Sequence, residues 1–224
     1  MMDNPLAAGV PLFSLGPVPV TATVVTTWGL MALLTVGAWL ATRRLAVRPG
    51  RGQVVLELLV TGIADQIEAA IHRDPHPYLP LIGTLFLFIA TANLSGEIPG
   101  VEAPTGRLET TAALAGVVFL STHVMGVRAL GLGAYLRRYL RPTVVMLPFN
   151  LLSEFTRTLA LAVRLFGNVM SHGFIVAVVL GLAGLLVPIP IMALGLLIGL
   201  VQAYIFAVLA TVFVGAAVGA IEAH

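Results

Sequence analysis

The C-terminal half of the chain contains two very long apolar stretches, at 149–187 and 191–222. A helix crosses a hydrocarbon core about 30 Å thick with roughly 20 residues. At about 1.5 Å per residue, the first stretch alone would form a helix of about 58 Å. Each stretch must therefore either tilt steeply across the bilayer or break into an interfacial piece and a spanning piece.

The composition leaves too little polar surface for a water-soluble fold. Hydrophobic residues make up 58% of the 224 residues and charged residues 10%, whereas soluble domains carry about 25% charged residues. This composition excludes a soluble enzyme, a disordered segment and a nucleic-acid binder. The chain has no cysteine for a thiolate metal site, and we expect neither a metal nor a cofactor. The predicted class is an all-α integral membrane protein in a lipid bilayer.

The predicted organisation is a single membrane domain, 1–224, with five membrane-crossing segments. A Pro-rich lead-in at 1–20 precedes them, and it lacks the basic residues with which a signal peptide begins. The last two helices are expected to be long and steeply tilted and to form a hairpin. The segments are span 1 at 21–42, an interfacial helix at 53–73, span 2 at 78–94, span 3 at 108–127, and the long helices at 149–187 and 191–222.

Arginine placement predicts the orientation. All twelve basic residues are arginines, and eight of them lie in two predicted loops. Short loops rich in Lys and Arg stay on the cytoplasmic side of the membrane, so the N-terminus is expected outside and the C-terminus in the cytoplasm. The eight are Arg43, Arg44, Arg48 and Arg51 after span 1, and Arg128, Arg137, Arg138 and Arg141 after span 3.

The segment at 53–73 has the pattern of an amphipathic helix at the cytoplasmic interface. Its apolar stripe recurs every three to four residues, while Glu57, Asp65 and Glu68 fall on another side. An acidic face is a poor match for anionic lipid. We therefore expect this helix to pack against another protein.

The first long helix also carries the polar side chains that are most costly in lipid. At 100° per residue, six of them fall within an arc of about 80°. An arginine at membrane depth costs between about 2.5 and over 10 kcal/mol, and Arg164 has no acidic residue one turn away. A partner carboxylate or a water-filled cavity is expected to face it. The six residues are Asn150, Glu154, Arg157, Arg164, Asn168 and His172.

Ordinary structural roles remain open for several of these residues. Glu154 and Arg157 have the spacing of a local ion pair, and Asn150 stands near a predicted helix start, where Asn often caps the backbone. For Asn168 and His172, packing and function are equally compatible with the pattern.

Three further polar features allow a structural interpretation. Gln202 on the last helix is explained equally well by an interhelical hydrogen bond. His123 in span 3 is interpreted as packing within the bundle. The two histidines at 72–76 are interpreted as part of a loop rather than as metal ligands, because prolines interrupt that segment.

Three motifs resemble a known family. They are VRLFGN at 163–168, QAYIF at 202–206 and NLSGEIPG at 93–100. Together they resemble the a subunit in the membrane Fo sector of rotary F-type ATP synthases, and the resemblance covers nearly the whole chain. The runs at 78–88 and 153–168 also resemble the N-type branch of these ATPases.

The resemblance implies a stator subunit that is not an enzyme on its own. Arg164 matches the arginine that faces the carboxylates of a rotating c-subunit ring, Asn168 the asparagine one turn on, and Gln202 the glutamine of the partner helix. Two ion half-channels would couple H+ or Na+ translocation to ring rotation. The implied partners are the c ring, b-type peripheral stalk subunits and, indirectly, the soluble ATPase head, at a bacterial plasma membrane. The other residues expected along the ion path are Asn150, Glu154 and His172.

The chain departs from the family pattern at two positions. The acidic or histidine residue usual nine positions after the arginine is Gly173, and the residue seven before the glutamine, often histidine, is Gly195. His172 is expected as a substitute. An alternative function from another class is a stand-alone secondary transporter that binds an anionic substrate at Arg164, although such proteins often contain two related halves and this chain has no internal repeat.

Overall fold

A computed structural model describes residues 11–15, 18–43, 50–98, 101–139, 145–183 and 187–219. Within these ranges the chain forms two short strands, seven α-helices and one 3-10 turn. The elements are β1 Pro11–Leu15, β2 Val18–Thr21, α1 Ala22–Thr42, α2 Arg51–Ile71, α3 Leu79–Ser95, the 3-10 turn Pro104–Gly106, α4 Leu108–Leu130, α5 Leu132–Tyr139, α6 Met146–Ala183 and α7 Pro188–Ala217.

Four of the described helices, α1, α4, α6 and α7, are long and apolar enough to cross a membrane. The helix α3 is also apolar but has 17 residues, about 26 Å at the usual helical rise. The chain thus has the features of an all-helical integral membrane protein. The fifth crossing, by α3, stays a prediction.

A small β-ribbon lies in the second half of the predicted Pro-rich lead-in. The strands β1 and β2 pair antiparallel, with Leu15 opposite Val18 and Pro11 opposite Thr21. Proline lacks the amide donor of a β-ladder, which is why the Pro-rich segment predicted no strand. A two-stranded ribbon tolerates it, since each strand has one edge that needs no donor.

The helix α5 is a second difference, because no helix was predicted between span 3 and the first long helix. Gly131, with a φ of 79°, ends α4 directly before α5 begins. The Tyr135 side chain, 4% exposed, packs on α4 at Gly126. Eight residues are too few to produce a clear helical period in the sequence.

The two long helices are unbroken in the described residues. The helix α6 has 38 residues and α7 has 30, about 57 and 45 Å long by the helical rise. The last helix was predicted to begin at residue 191, but it begins three residues earlier, so the Pro-Ile-Pro segment at 188–190 forms its first turn. Proline is tolerated there because the first turn needs no backbone N–H partner.

The core lies around α7, against which α3, α4, α6 and α2 pack. Ile89, Leu165 and Phe206 are fully buried in it. The C-terminal part of α2 also packs on this chain, through fully buried Ile67 and Ile71. The acidic side of α2 is exposed, and its packing against another protein stays a prediction.

Candidate functional site

Arg164 lies on α6 with its side chain exposed at the outer surface of the helix bundle. Its neighbour Leu165 is fully buried in the core, as are Leu161 and Ala162 one turn earlier. These three side chains fix the rotation of α6 about its axis and thereby turn Arg164 outward. Among the described residues, no ion pair involves Arg164. The guanidinium is therefore left without a carboxylate partner among the described residues.

The surface around Arg164 is apolar. Exposed hydrophobic side chains continue along both long helices, and a surface of this extent requires lipid or another protein against it. They include Phe155, Leu159, Val163 and Ile175 on α6, and Leu194, Leu197, Val201 and Tyr204 on α7.

Asn168 and Gln202 join the two long helices next to this arginine. The Asn168 amide donates a hydrogen bond of 2.5 Å to Oε1 of Gln202. Gln202 is 3% exposed, whereas Asn168, one turn beyond Arg164, is exposed. The structure therefore brings together three residues that the sequence resemblance singled out, and it gives Gln202 the interhelical hydrogen bond considered as its structural role.

A buried polar network that sequence reasoning missed holds α7 nearby. Asn93 donates a 2.8 Å hydrogen bond to the Gly199 carbonyl and accepts one of 2.7 Å from the Thr105 hydroxyl. Gly199 precedes Gln202 by three residues, so the network positions the part of α7 that carries Gln202. The one signal in the sequence was that Asn93 begins the NLSGEIPG motif.

His172 lies in the C-terminal part of α6 and contacts Glu97. The distance from Nε2 to Glu97 Oε1 is 2.9 Å, and the two side chains are 19% and 14% exposed. This is an ion-pair distance, although the groups are not aligned as a hydrogen bond. Glu97 lies just past the end of α3, and the sequence pattern did not predict it as a partner of His172.

Glu154 contacts His123 of α4, which corrects the interpretation of Glu154 as the partner of a local ion pair. The distance from His123 Nε2 to Glu154 Oε1 is 3.6 Å, and His123 Nδ1 lies 2.8 Å from the Phe119 carbonyl oxygen. His123 thus contacts α6 from α4, in keeping with packing within the bundle. In the described chain, Glu154 forms no ion pair with Arg157, because Arg157 lies on the exposed side of α6 while Glu154 is half-buried toward α4.

The six polar side chains that were predicted to share one side of the first long helix therefore fall into two groups. Arg157, Arg164 and Asn168 are exposed. Glu154 and His172 are half-buried, and they contact His123 of α4 and Glu97 after α3, respectively. Asn150 is half-buried one turn before Glu154 and lies inside α6, since the helix already begins at Met146.

Metal ligands are not clustered in the part of the chain that the structure describes. No group of three or more His, Asp or Glu side chains there could hold a metal ion. In the segment 72–76, the Asp74 carboxylate accepts a 3.1 Å hydrogen bond from the His76 backbone N–H, which is a local turn interaction.

Comparison with known proteins identifies the family. The family model described as ATP synthase A chain matches residues 24–215. The chain is 57% identical over 221 residues to ATP synthase subunit a 2 of a Bradyrhizobium species, covering 99% of both chains. It is 53% identical over 204 residues to ATP synthase subunit a of Albidiferax ferrireducens, covering 90% of this chain and 88% of the other. These matches favour the first predicted function over a stand-alone transporter. The chain belongs to the family of subunit a of the F-type ATP synthases, a membrane Fo subunit.

Proposed function

We propose that this chain is the stator subunit that supplies both ion half-channels and presents Arg164 to the carboxylates of a c-subunit ring. The observation that carries the proposal is the exposed position of Arg164 on an apolar outer surface, outside the ion pairs of the described residues. A cation in such a place favours an anion brought by a partner. The Asn168–Gln202 hydrogen bond one turn away would hold the two long helices in register beside it.

The electrostatics of Arg164 suit a passing carboxylate. A nearby cation favours the ionised form of a carboxyl group, so each ring carboxylate that reaches Arg164 would release its ion. A fixed positive charge in a low-dielectric region also opposes direct passage of a cation between the half-channels. Guanidinium keeps its proton at any physiological pH. Exposure keeps the pairing reversible, which rotation requires.

Two Glu–His pairs flank Arg164 along α6: Glu154 with His123 on one side, and His172 with Glu97 on the other. Glu154 lies about 15 Å before it and His172 about 12 Å after it by the helical rise. With the predicted orientation, Glu154 and Asn150 would belong to the cytoplasmic half-channel and His172 to the outer one. Arg164 stands between them, which supports two separated ion paths that meet only through the rotating ring.

The lengths of α6 and α7 support a tilted hairpin along the ring. An unbroken helix of about 57 Å would cross about 30 Å of hydrocarbon only if it lay at a steep angle. A steep helix keeps contact with a curved ring over several ring subunits. The remaining partners would be b-type stalk subunits and, through them, the soluble head. The chain would lie in a bacterial plasma membrane with its N-terminus outside and its C-terminus in the cytoplasm.

The test is Arg164→Ala in membranes that carry the whole complex. We expect loss of both ion-driven ATP synthesis and ATP-driven ion pumping, because no cation remains to meet the ring carboxylate. Arg157→Ala is the matched control, since Arg157 is exposed on the same helix two turns earlier and should keep most of the activity. Coupled synthesis that persists in Arg164→Ala at normal assembly would contradict the proposal.

A further inference from the structure

A groove of about 460 Å³ lies at the corner where α4 ends and α5 begins. Its walls are the apolar side chains of Val124 and Val127 on α4 and of Leu132 and Leu136 on α5, and Arg128 also lines it. The volume falls within the range of about 300–1,000 Å³ that is usual for small-molecule sites. We call this space the α4–α5 groove.

The fold holds the two walls of the groove in place. Gly131, with a φ of 79°, ends α4, and its carbonyl oxygen accepts a 3.0 Å hydrogen bond from the backbone N–H of Tyr135 on α5. The Tyr135 ring packs on α4 at Gly126 and stands edge-on to the His123 ring, with 6.0 Å between the ring centroids. The groove is therefore formed by the chain itself.

Arg128 is the polar group of the groove that is open to an outside partner. His123 lines the groove too, but its ring nitrogens lie 2.8 Å from the Phe119 carbonyl oxygen and 3.6 Å from Glu154 Oε1. The Arg128 side chain is exposed, and no ion pair within the described residues involves it. The described residues that line the groove include no acidic side chain. The groove thus combines apolar walls with one cation.

These groups follow one another along α4 in the order of the groups of a phospholipid. Arg128 lies two residues before the end of α4 and Val124 lies six residues before it, which is about 3 and 9 Å by the helical rise. The 23 residues of α4 span about 34 Å, close to a hydrocarbon core of about 30 Å. In a bilayer, Arg128 would therefore lie at headgroup depth and the apolar walls beside the acyl chains.

We propose that the α4–α5 groove binds an anionic phospholipid, with the lipid phosphate on Arg128 and an acyl chain between the apolar walls. Guanidinium pairs well with phosphate. Basic pockets beside transmembrane helices on the cytoplasmic side bind anionic head groups, and the predicted orientation places this end of α4 in the cytoplasmic leaflet. A zwitterionic lipid would fill the walls equally well but would bring a second cation toward Arg128. The groove residues lie on α4 and α5, away from Arg164 on α6, so this site goes beyond the proposed stator function.

The experiment uses the whole complex in vesicles that contain a small amount of lipid with a photoreactive acyl chain. The probe is phosphatidylglycerol in one sample and phosphatidylcholine in the other. After illumination, mass spectrometry of proteolytic peptides measures the lipid adducts on α4 and α5. We expect the anionic probe to label this corner about fivefold more than the neutral one, the factor that corresponds to one arginine near an anionic lipid surface.

Two variants test the headgroup contact. Arg128→Gln should bring the two probes to nearly equal labelling, because it removes the cation and keeps the apolar walls. Arg51→Gln is the matched control. It removes the same charge from an exposed position at the start of α2, on the same predicted side of the membrane, and it should keep the preference for the anionic probe.

Two further variants test the acyl-chain contact. Val124→Trp fills the groove from a side chain that is already exposed, so we expect severalfold less labelling by both probes in normally assembled complex. Leu120→Trp is the control because Leu120 is exposed one turn earlier on α4 and is not among the groove residues. Its labelling should stay close to that of the parent.

Four results would overturn the inference. Equal labelling of the parent by the two probes would make the groove a site for any lipid, and an unchanged preference in Arg128→Gln would place the anionic lipid elsewhere. Unchanged labelling in Val124→Trp would put the lipid outside the groove. The fourth result is the absence of labelling by both probes, and a Leu136→Cys thiol that maleimide cannot reach in the whole complex would then assign the groove to another subunit.

Discussion

The side-chain amide of Asn168 on α6 donates a hydrogen bond of 2.5 Å to Oε1 of Gln202 on α7. One partner is exposed beside Arg164, and the other is 3% exposed. This hydrogen bond therefore ties the surface that carries the arginine to the buried side of α7. A change at either residue should reach the arginine through the relative position of the two helices.

Asn168→Ala leaves the buried Gln202 amide without this partner. An unsatisfied buried polar group costs about 1–3 kcal/mol, so we expect a lower thermal stability of the membrane sector and slower coupled synthesis. The double variant Asn168→Ala/Gln202→Leu removes the buried amide as well. Its stability loss should be smaller than the sum of the single losses, as measured by thermal inactivation, and additive losses would argue against a shared role.

Gly199→Ala should loosen the contact between α3 and α7. A Cβ there would lie 3.0 Å from the Asn93 Cβ, so the Asn93 hydrogen bond to the Gly199 carbonyl must lengthen or break. We expect a cost of about 1–3 kcal/mol, typical of overpacking in a core, and less assembled complex. Gly181→Ala is the control because its Cβ meets open space, and equal losses in the two variants would contradict the prediction.

The sequence predicted Arg164, Asn168 and Gln202 as one site because the resemblance covers both long helices. It predicted His172 but missed its partner Glu97, because a helical period reports which residues share a face and not what another helix places there. His123 was missed as a partner of Glu154 for the same reason. The β-ribbon and the Pro188 start of α7 were missed because proline breaks most elements, and edge strands and first turns tolerate it.

Gly126→Ala should detach α5 from α4. A methyl group at this position would overlap the ring of Tyr135, which is buried against the glycine. We expect faster amide hydrogen exchange and faster proteolysis in α5, with α4 itself intact. Gly116→Ala on the same helix meets no atom within 4 Å and should leave α5 protected, so equal exchange in the two variants would contradict this packing.

Arg164→Lys should fail to restore coupling despite keeping a positive charge. The ammonium group is a compact, strongly hydrated charge that loses its proton more readily when desolvated. We expect ATP-driven ion pumping at least about tenfold below the parent, a loss of about 1.4 kcal/mol or more in transition-state stabilisation. Pumping close to the parent rate in assembled complex would mean that charge alone is sufficient.

The central claim, that the Arg164 surface faces a c-subunit ring, is tested most directly by cross-linking. The chain has no native cysteine, so Ala160→Cys places a single thiol at an exposed position one turn before Arg164. We predict a disulfide with a cysteine placed beside the ring carboxylate. Trp39→Cys on α1, at a side chain 57% exposed, should form none. A product only from Trp39→Cys, or none from a maleimide-reactive Ala160→Cys, would contradict the account.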